Sequence, residues 1–160
     1  MAAEAGGFAL VVLRVDGEWQ VSPLPEALVD DLDGLIDALR HQPPAQVPLV
    51  LVDVDDEFFV AMRLDREGET RALLSDVTAA ADYDLAADVL DLLGEEVPED
   101  LEEVWPAGEL DLFADLGLPE LELCVILDDL DLYADEMLLV IARRLGFADQ
   151  LAAAVDMVPH

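Results

Sequence analysis

Two residue spacings divide the chain. Residues 8–15 (FALVVLRV) and 18–22 (EWQVS) read as strands on either side of Asp16-Gly17, a dipeptide suited to the tight turn of a β-hairpin. Pro23 and Pro25 end the second strand. From Glu26 to His41 the apolar positions are Leu28, Val29, Leu32, Leu35, Ile36 and Leu39. That spacing is helical, and the helix is stopped by Pro43-Pro44. PLVLVDV (48–54) is a β-branched apolar run of the kind that fills a central strand. EFFVAMRL (57–64), a turn through Arg66-Glu67-Gly68, and TRALLS (70–75) extend it into an antiparallel meander. Ser75 or Asp76 can cap a second helix, with Leu85, Val89, Leu92 and Leu93 on its apolar side and Gly94 at its end. The order ββαβββα predicts an α+β domain over residues 1–94, with a five-stranded antiparallel sheet and helices mainly on one face.

Residues 95–110 (EEVPEDLEEVWPAGEL) read as an acidic linker, with Val104 and Trp105 as its anchors to the core. Residues 111–160 read as a helical appendage. Pro119 suits a first helical position. Ala134, Met137, Leu138, Ile141 and Leu145 then form one buried stripe. Arg143 and Arg144 complement the dipole of that helix, and Gly146 supplies a left-handed stop. FADQLAAAVDM predicts a last short helix. With both early helices on one side, the other face of the sheet is left open for a homodimer.

Charge changes this picture more than composition does. The 160 residues carry 38 acids against 7 bases, a formal net of −31, while 54% are hydrophobic. A core is therefore affordable and intrinsic disorder is excluded. All the bases are Arg (14, 40, 63, 66, 71, 143, 144); Lys and Asn are absent, as in a high-GC genome. A polyanion of this strength disfavours nucleic acid and membrane surfaces as direct partners and favours a protein with a basic surface. No apolar run approaches the roughly 18 residues of a membrane helix. The N-terminal residues carry Glu4 and no basic stretch, so no signal peptide is expected and the cytoplasm is the expected location.

Candidate chemistry is sparse. Asp53-Val54-Asp55-Asp56-Glu57 opens like a calcium-binding EF-hand loop, but Phe58 and Leu64 take the positions that need Gly and Glu. Starting from Asp129, Tyr133 and Val140 break the same pattern. Cys124 is the single cysteine and lies in LELCVIL, which reads as a core thiol. Only His41 and His160 exist, so the His-x-Glu and Pro-Cys-x-x-Cys pair of a zinc deaminase is missing. Ser22 and Ser75 have no base nearby in sequence, and there is no phosphate loop. IARRLGF (141–147) echoes a helix-turn-helix, yet ten acids and two arginines lie between Asp111 and Asp149, the opposite of a DNA-reading balance. The expectation is a protein with no cofactor, no metal and no catalytic residue.

One pattern stands above composition. Glu26, Asp30, Asp33 and Asp37 on the first helix, Asp84, Asp88 and Asp91 on the second, and Asp128, Asp131 and Asp135 before or in a later one repeat at spacings of three and four. Such spacings stack like charges on one helix face at a cost of roughly 0.2–0.5 kcal/mol per pair. The columns are either the solvated faces of amphipathic helices or a negative plate that docks on a basic partner.

The segments DEFFVA (56–61), LLSDVTAA (73–80), EVWPAGEL (103–110), FADLGL (113–118), DDLDLYADEML (128–138) and ARRLGF (142–147) carry a resemblance. Over nearly the whole chain and in this order they resemble the actinobacterial tRNA adenosine deaminase-associated proteins. The resemblance implies an accessory role beside the tRNA-editing deaminase and brings no catalytic residues with it. Because that deaminase binds tRNA through a basic surface, the expected partner is the deaminase itself or another protein with such a surface. The other reading is a small-molecule-binding α+β module, unrelated to the deaminase, with its pocket between sheet and helical appendage.

Overall fold

The computed structural model describes residues 7–96, 106–129 and 131–157. Most of the linker, including the expected anchors Val104 and Trp105, lies outside the described residues.

β1 (Gly7–Val15) and β2 (Glu18–Pro23) form the expected hairpin over Asp16-Gly17. A 3-10 turn (Glu26–Leu28) follows, and α1 runs only from Leu32 to Arg40. The predicted helix from Glu26 is therefore shortened, and the cause is a cap: the Asp31 carboxylate accepts the Gly34 N–H and starts the helix there. β3 (Leu49–Val54), β4 (Phe58–Leu64) and β5 (Thr70–Leu74) make the meander. Asp76 caps a 3-10 turn (Val77–Ala81) rather than the helix itself, and α2 spans Asp84–Leu92.

The sheet has six strands, not five, in the order β2-β1-β3-β4-β5-β6, and every pairing is antiparallel. The unexpected strand, β6 (Ala107–Gly108), lies in the stretch expected to be linker and pairs with Leu73 and Leu74 of β5. Two residues are too few to show a strand period. Gly108 makes the approach possible, because a Cβ there would sit 2.2 Å from the Ala72 carbonyl oxygen.

α3 (Glu120–Asp128), α4 (Ala134–Leu145) and α5 (Ala148–Asp156) complete the chain. Pro119 is the residue before α3 rather than its first turn. The stripe predicted for α4 is buried throughout, and Gly146 ends that helix with φ of 105°. These helices do not leave a sheet face open. Phe8, Leu10, Val12, Leu49, Leu51, Phe59, Ala61 and Leu73 share one hydrophobic cluster with Leu123, Leu138, Ile141, Phe147 and Leu151. The alternate positions Ala9, Val50, Val52, Phe58, Val60, Met62 and Leu74 pack on α1 and α2. The open face that motivated a homodimer is thus the seat of the C-terminal helices.

Arginine fastens the segment between β6 and α3. Arg63 and Arg71 face each other across β4 and β5. Arg63 donates to the Leu112 carbonyl at 2.9 Å and to Asp115 at 2.7 Å, and Arg71 pairs with Asp111 at 2.8 Å and Glu109 at 3.2 Å. The Arg63 side chain is only 12% exposed, so these bonds are poorly replaced by water. Arg63→Ala should destabilise the protein by about 1–3 kcal/mol, whereas Ala at the exposed Arg66 should change stability by under about 0.5 kcal/mol. Urea unfolding of both variants checks this.

Candidate functional site

α1 and α2 lie side by side on one face of the sheet. Between them runs a groove of about 340 Å³ lined by Asp30, Asp31, Leu32, Asp33, Ile36, Asp88, Asp91 and Leu92. The structure therefore brings together Asp30 and Asp33 from the first predicted column with Asp88 and Asp91 from the second. It treats the other candidates differently. Glu26 falls in the 3-10 turn and Asp30 precedes the cap, so the first column is not one continuous helix face. Asp37 and Asp84 are exposed on α1 and α2 but do not line the groove. Asp128 ends α3, Asp131 lies in the following loop and Asp135 opens α4, so these three form no helical column, and they belong to the opposite layer. α4 starts at Ala134, where the Glu136 carboxylate accepts the Tyr133 backbone N–H at 3.1 Å.

The groove acids differ in what they do for the fold. Asp31 caps α1, and Asp33 sits in its first turn, where negative charge is favourable. Asp91 is in the last turn of α2, where no basic residue offsets it. Negative charge there opposes the helix dipole and also faces Asp30 and Asp33 across the groove. Asp88 adds a like charge one turn earlier. Among the described residues, Arg63, Arg71 and Arg144 pair with Asp115, Glu109, Asp111 and Glu122 instead.

A second carboxyl cluster lies on the other face. In β3, Asp53 follows Leu49 and Leu51 on the side covered by the C-terminal helices and is 2% exposed. Its Oδ1 accepts the Asp56 N–H at 3.0 Å. Burial, then the carboxyl of Asp56, push the Asp53 carboxyl up to about 9, so it holds a proton at neutral pH. Asp135 is also raised, by burial and then by Asp56. The Ala134 N–H donates to the Asp56 carbonyl at 3.3 Å, which ties the start of α4 to the β3–β4 turn. Beside this junction is a pocket of about 170 Å³ lined by residues that include Asp56, Ser75, Tyr133 and Met137. Asp53 does not line it, and the Ser75 hydroxyl accepts the Phe59 N–H. A raised carboxyl without access to the pocket is a structural group. Cys124 is half-buried, with its thiol raised by burial and then by Glu120 and Asp128, which disfavours the thiolate. Among the described residues, no three His, Cys, Asp or Glu side chains are placed to hold one metal ion. Nor, among them, is any helix long and apolar enough to cross a membrane.

The comparisons with known proteins agree with the residues that carried the resemblance. A family profile described as "Rv3753c-like tRNA adenosine deaminase-associated protein" matches residues 7–148. The chain belongs to this family. Protein Rv3753c of Mycobacterium tuberculosis is 52% identical to it over 153 residues, which cover 94% of this chain and 88% of that protein. No solved structure matches. The family match begins at β1 and runs to the first residue of α5, so it includes both helical layers and the groove.

Sequence reasoning missed the Asp53 junction, although a signal was present. Strict alternation from Leu49 and Leu51 places Asp53 on an apolar face, which is anomalous for an ionised side chain. The sign of its pH effect follows. A free aspartate titrates near 3.8 and the folded one near 9. Folding therefore favours the protonated form, and stability present at acid pH is lost as pH rises toward 9. Chemical unfolding at pH 5 and pH 8 should show the protein weaker at pH 8, and Asp53→Asn should remove part of that difference. Comparing the two proteins at each pH separates Asp53 from general charge repulsion.

Proposed function

We propose that this protein is a non-enzymatic accessory protein that docks on a basic protein surface through the acidic groove between α1 and α2. The partner that the family description favours is the tRNA adenosine deaminase of the same organism, acting in the cytoplasm. The observation that carries the reading is the convergence of Asp30, Asp33, Asp88 and Asp91 from two separate segments into one groove. Asp91 in particular stands where it weakens its own helix. Charge kept at a cost to the fold is what an electrostatic docking site requires. Leu32, Ile36 and Leu92 supply an apolar floor between the carboxylates. A deaminase surface that receives tRNA is basic, so this groove and tRNA would compete for it.

The small-molecule reading has less support. Its site would lie between the sheet and the C-terminal helices, where the pocket of about 170 Å³ falls below the roughly 300–1,000 Å³ typical of ligand sites.

Calorimetric titration against the deaminase tests the proposal. Binding is expected at low salt, with a loss of at least about tenfold between 50 and 300 mM salt as the Debye length shrinks, and tRNA should displace the protein. Asp30→Asn, Asp33→Asn, Asp88→Asn and Asp91→Asn combined should weaken binding by about tenfold or more. The Asp88→Asn and Asp91→Asn pair should leave stability equal or raise it by about 0.3–1 kcal/mol. No binding at low salt, or equal affinity of the quadruple variant, would overturn the reading.

A further inference from the structure

Carboxylates dominate the exposed faces of α1 and α2, and α3 is different. Its nine residues, ELELCVILD, bury Leu123, Ile126 and Leu127. At helical spacing, Leu121, Cys124, Val125 and Asp128 fall on the opposite side at i, i+3, i+4 and i+7. Leu121 is 79% exposed and Val125 is 71% exposed, while Cys124 is half-buried between them. The thiol, held protonated, acts there as a small apolar side chain. α3 thus carries apolar residues around nearly its whole circumference. A helix of that pattern is ordinarily covered on every side.

What covers it is indicated by the charge around it. Glu120, Asp128 and Asp129 are exposed at the two ends of the strip, and Glu122 on its flank is held by Arg144. A second copy would bring the same acidic rim against this one, in a chain of net −31. Symmetric pairing would then set carboxylates against carboxylates. A partner with an apolar centre and a basic rim meets both requirements.

We propose that the outward face of α3, centred on Leu121 and Val125, docks a helix or patch of another protein whose apolar centre is ringed by Arg or Lys. This surface belongs to the layer opposite the α1–α2 groove, and it does not depend on the deaminase being the partner. With it, the protein has a separate contact surface on each side of its sheet. The α1–α2 contact would be mainly electrostatic. The α3 contact would be mainly apolar and guided by its rim.

Two designed helical peptides of equal positive charge test the proposal against the full-length protein by nuclear magnetic resonance titration. One carries Leu at i, i+3, i+4 and i+7 with Arg elsewhere, and the other has Ser in place of each Leu. At about 1 M salt, where the Debye length is about 3 Å, the Leu peptide should still bind. Its shift changes should concentrate on Leu121, Cys124, Val125 and Asp128, while the Ser peptide should not bind. Leu121→Ser with Val125→Ser should reduce the affinity at least tenfold while leaving the circular dichroism spectrum unchanged. Equal binding of both peptides, shift changes centred on the α1–α2 groove, or unchanged affinity of the double variant would each overturn it. Sedimentation is the remaining check: self-association that the double variant abolishes would assign the face to a second copy instead.

Discussion

β3 and β4 are buried on both faces, and the rest of the fold is arranged to meet that condition. All six residues of β3 are buried, as are the first five of β4. Such strands need an apolar layer on each side, since either face left wet would expose a contiguous hydrophobic patch. α1 and α2 supply one layer from segments flanking the meander. The other must come from beyond residue 110, which explains why α4 and α5 are so strongly apolar on one side. Arg63 and Arg71 hold residues 109–115 against the sheet at the point where the chain enters that second layer.

This condition also explains what could be read from the sequence. The strands of the meander, the hairpin at Asp16-Gly17 and the α4 stripe are local patterns, written at periods of two or 3.6 within one segment. Which face receives α4 is a long-range matter, and no local period encodes it. A clue lay in PLVLVDV, because a continuous apolar run implies burial on both sides and therefore a second layer. β6 left no trace because its pairing depends on the absence of a side chain at Gly108 rather than on any pattern of its own. The start of α1 was misplaced because the apolar spacing extends upstream of Leu32, while the cap at Asp31 decides where helical hydrogen bonding begins.

The same contrast holds for the candidate site. Helical spacing picked out Asp33, Asp88 and Asp91 correctly as members of helices, but it could not say that α1 and α2 would be neighbours. That juxtaposition turns separate solvated faces into one groove. Where spacing was extrapolated past a helix boundary, as for Glu26 or for Asp128 and Asp131, it failed, because a column exists only where the helix does. Asp53 reads as part of the strand 48–54 and as the start of a calcium loop that fails its pattern; the signal passed over is its place in the strand alternation, which puts a carboxyl in the core.

In a chain of net −31, the presence of acid says little about function, and the structural work of each acid says more. Asp31 and Asp76 cap helical turns, and Asp65 and Asp129 accept backbone N–H groups in their own turns. Asp115, Asp111, Glu109 and Glu122 pair with arginine. Asp53 is neutral in the core. Asp55 accepts the Tyr83 hydroxyl, Glu136 accepts the Tyr133 N–H and Asp33 suits the start of α1, whereas Asp91 is placed against the interest of its own helix. Uniform compositional bias scatters such residues over the exposed surface. Asp91 meets Asp30, Asp33 and Asp88 in one groove, on the layer opposite the exposed Leu121–Val125 strip of α3, so the two sides of the sheet present chemically different surfaces. The proposed docking role rests on that difference between the two sides.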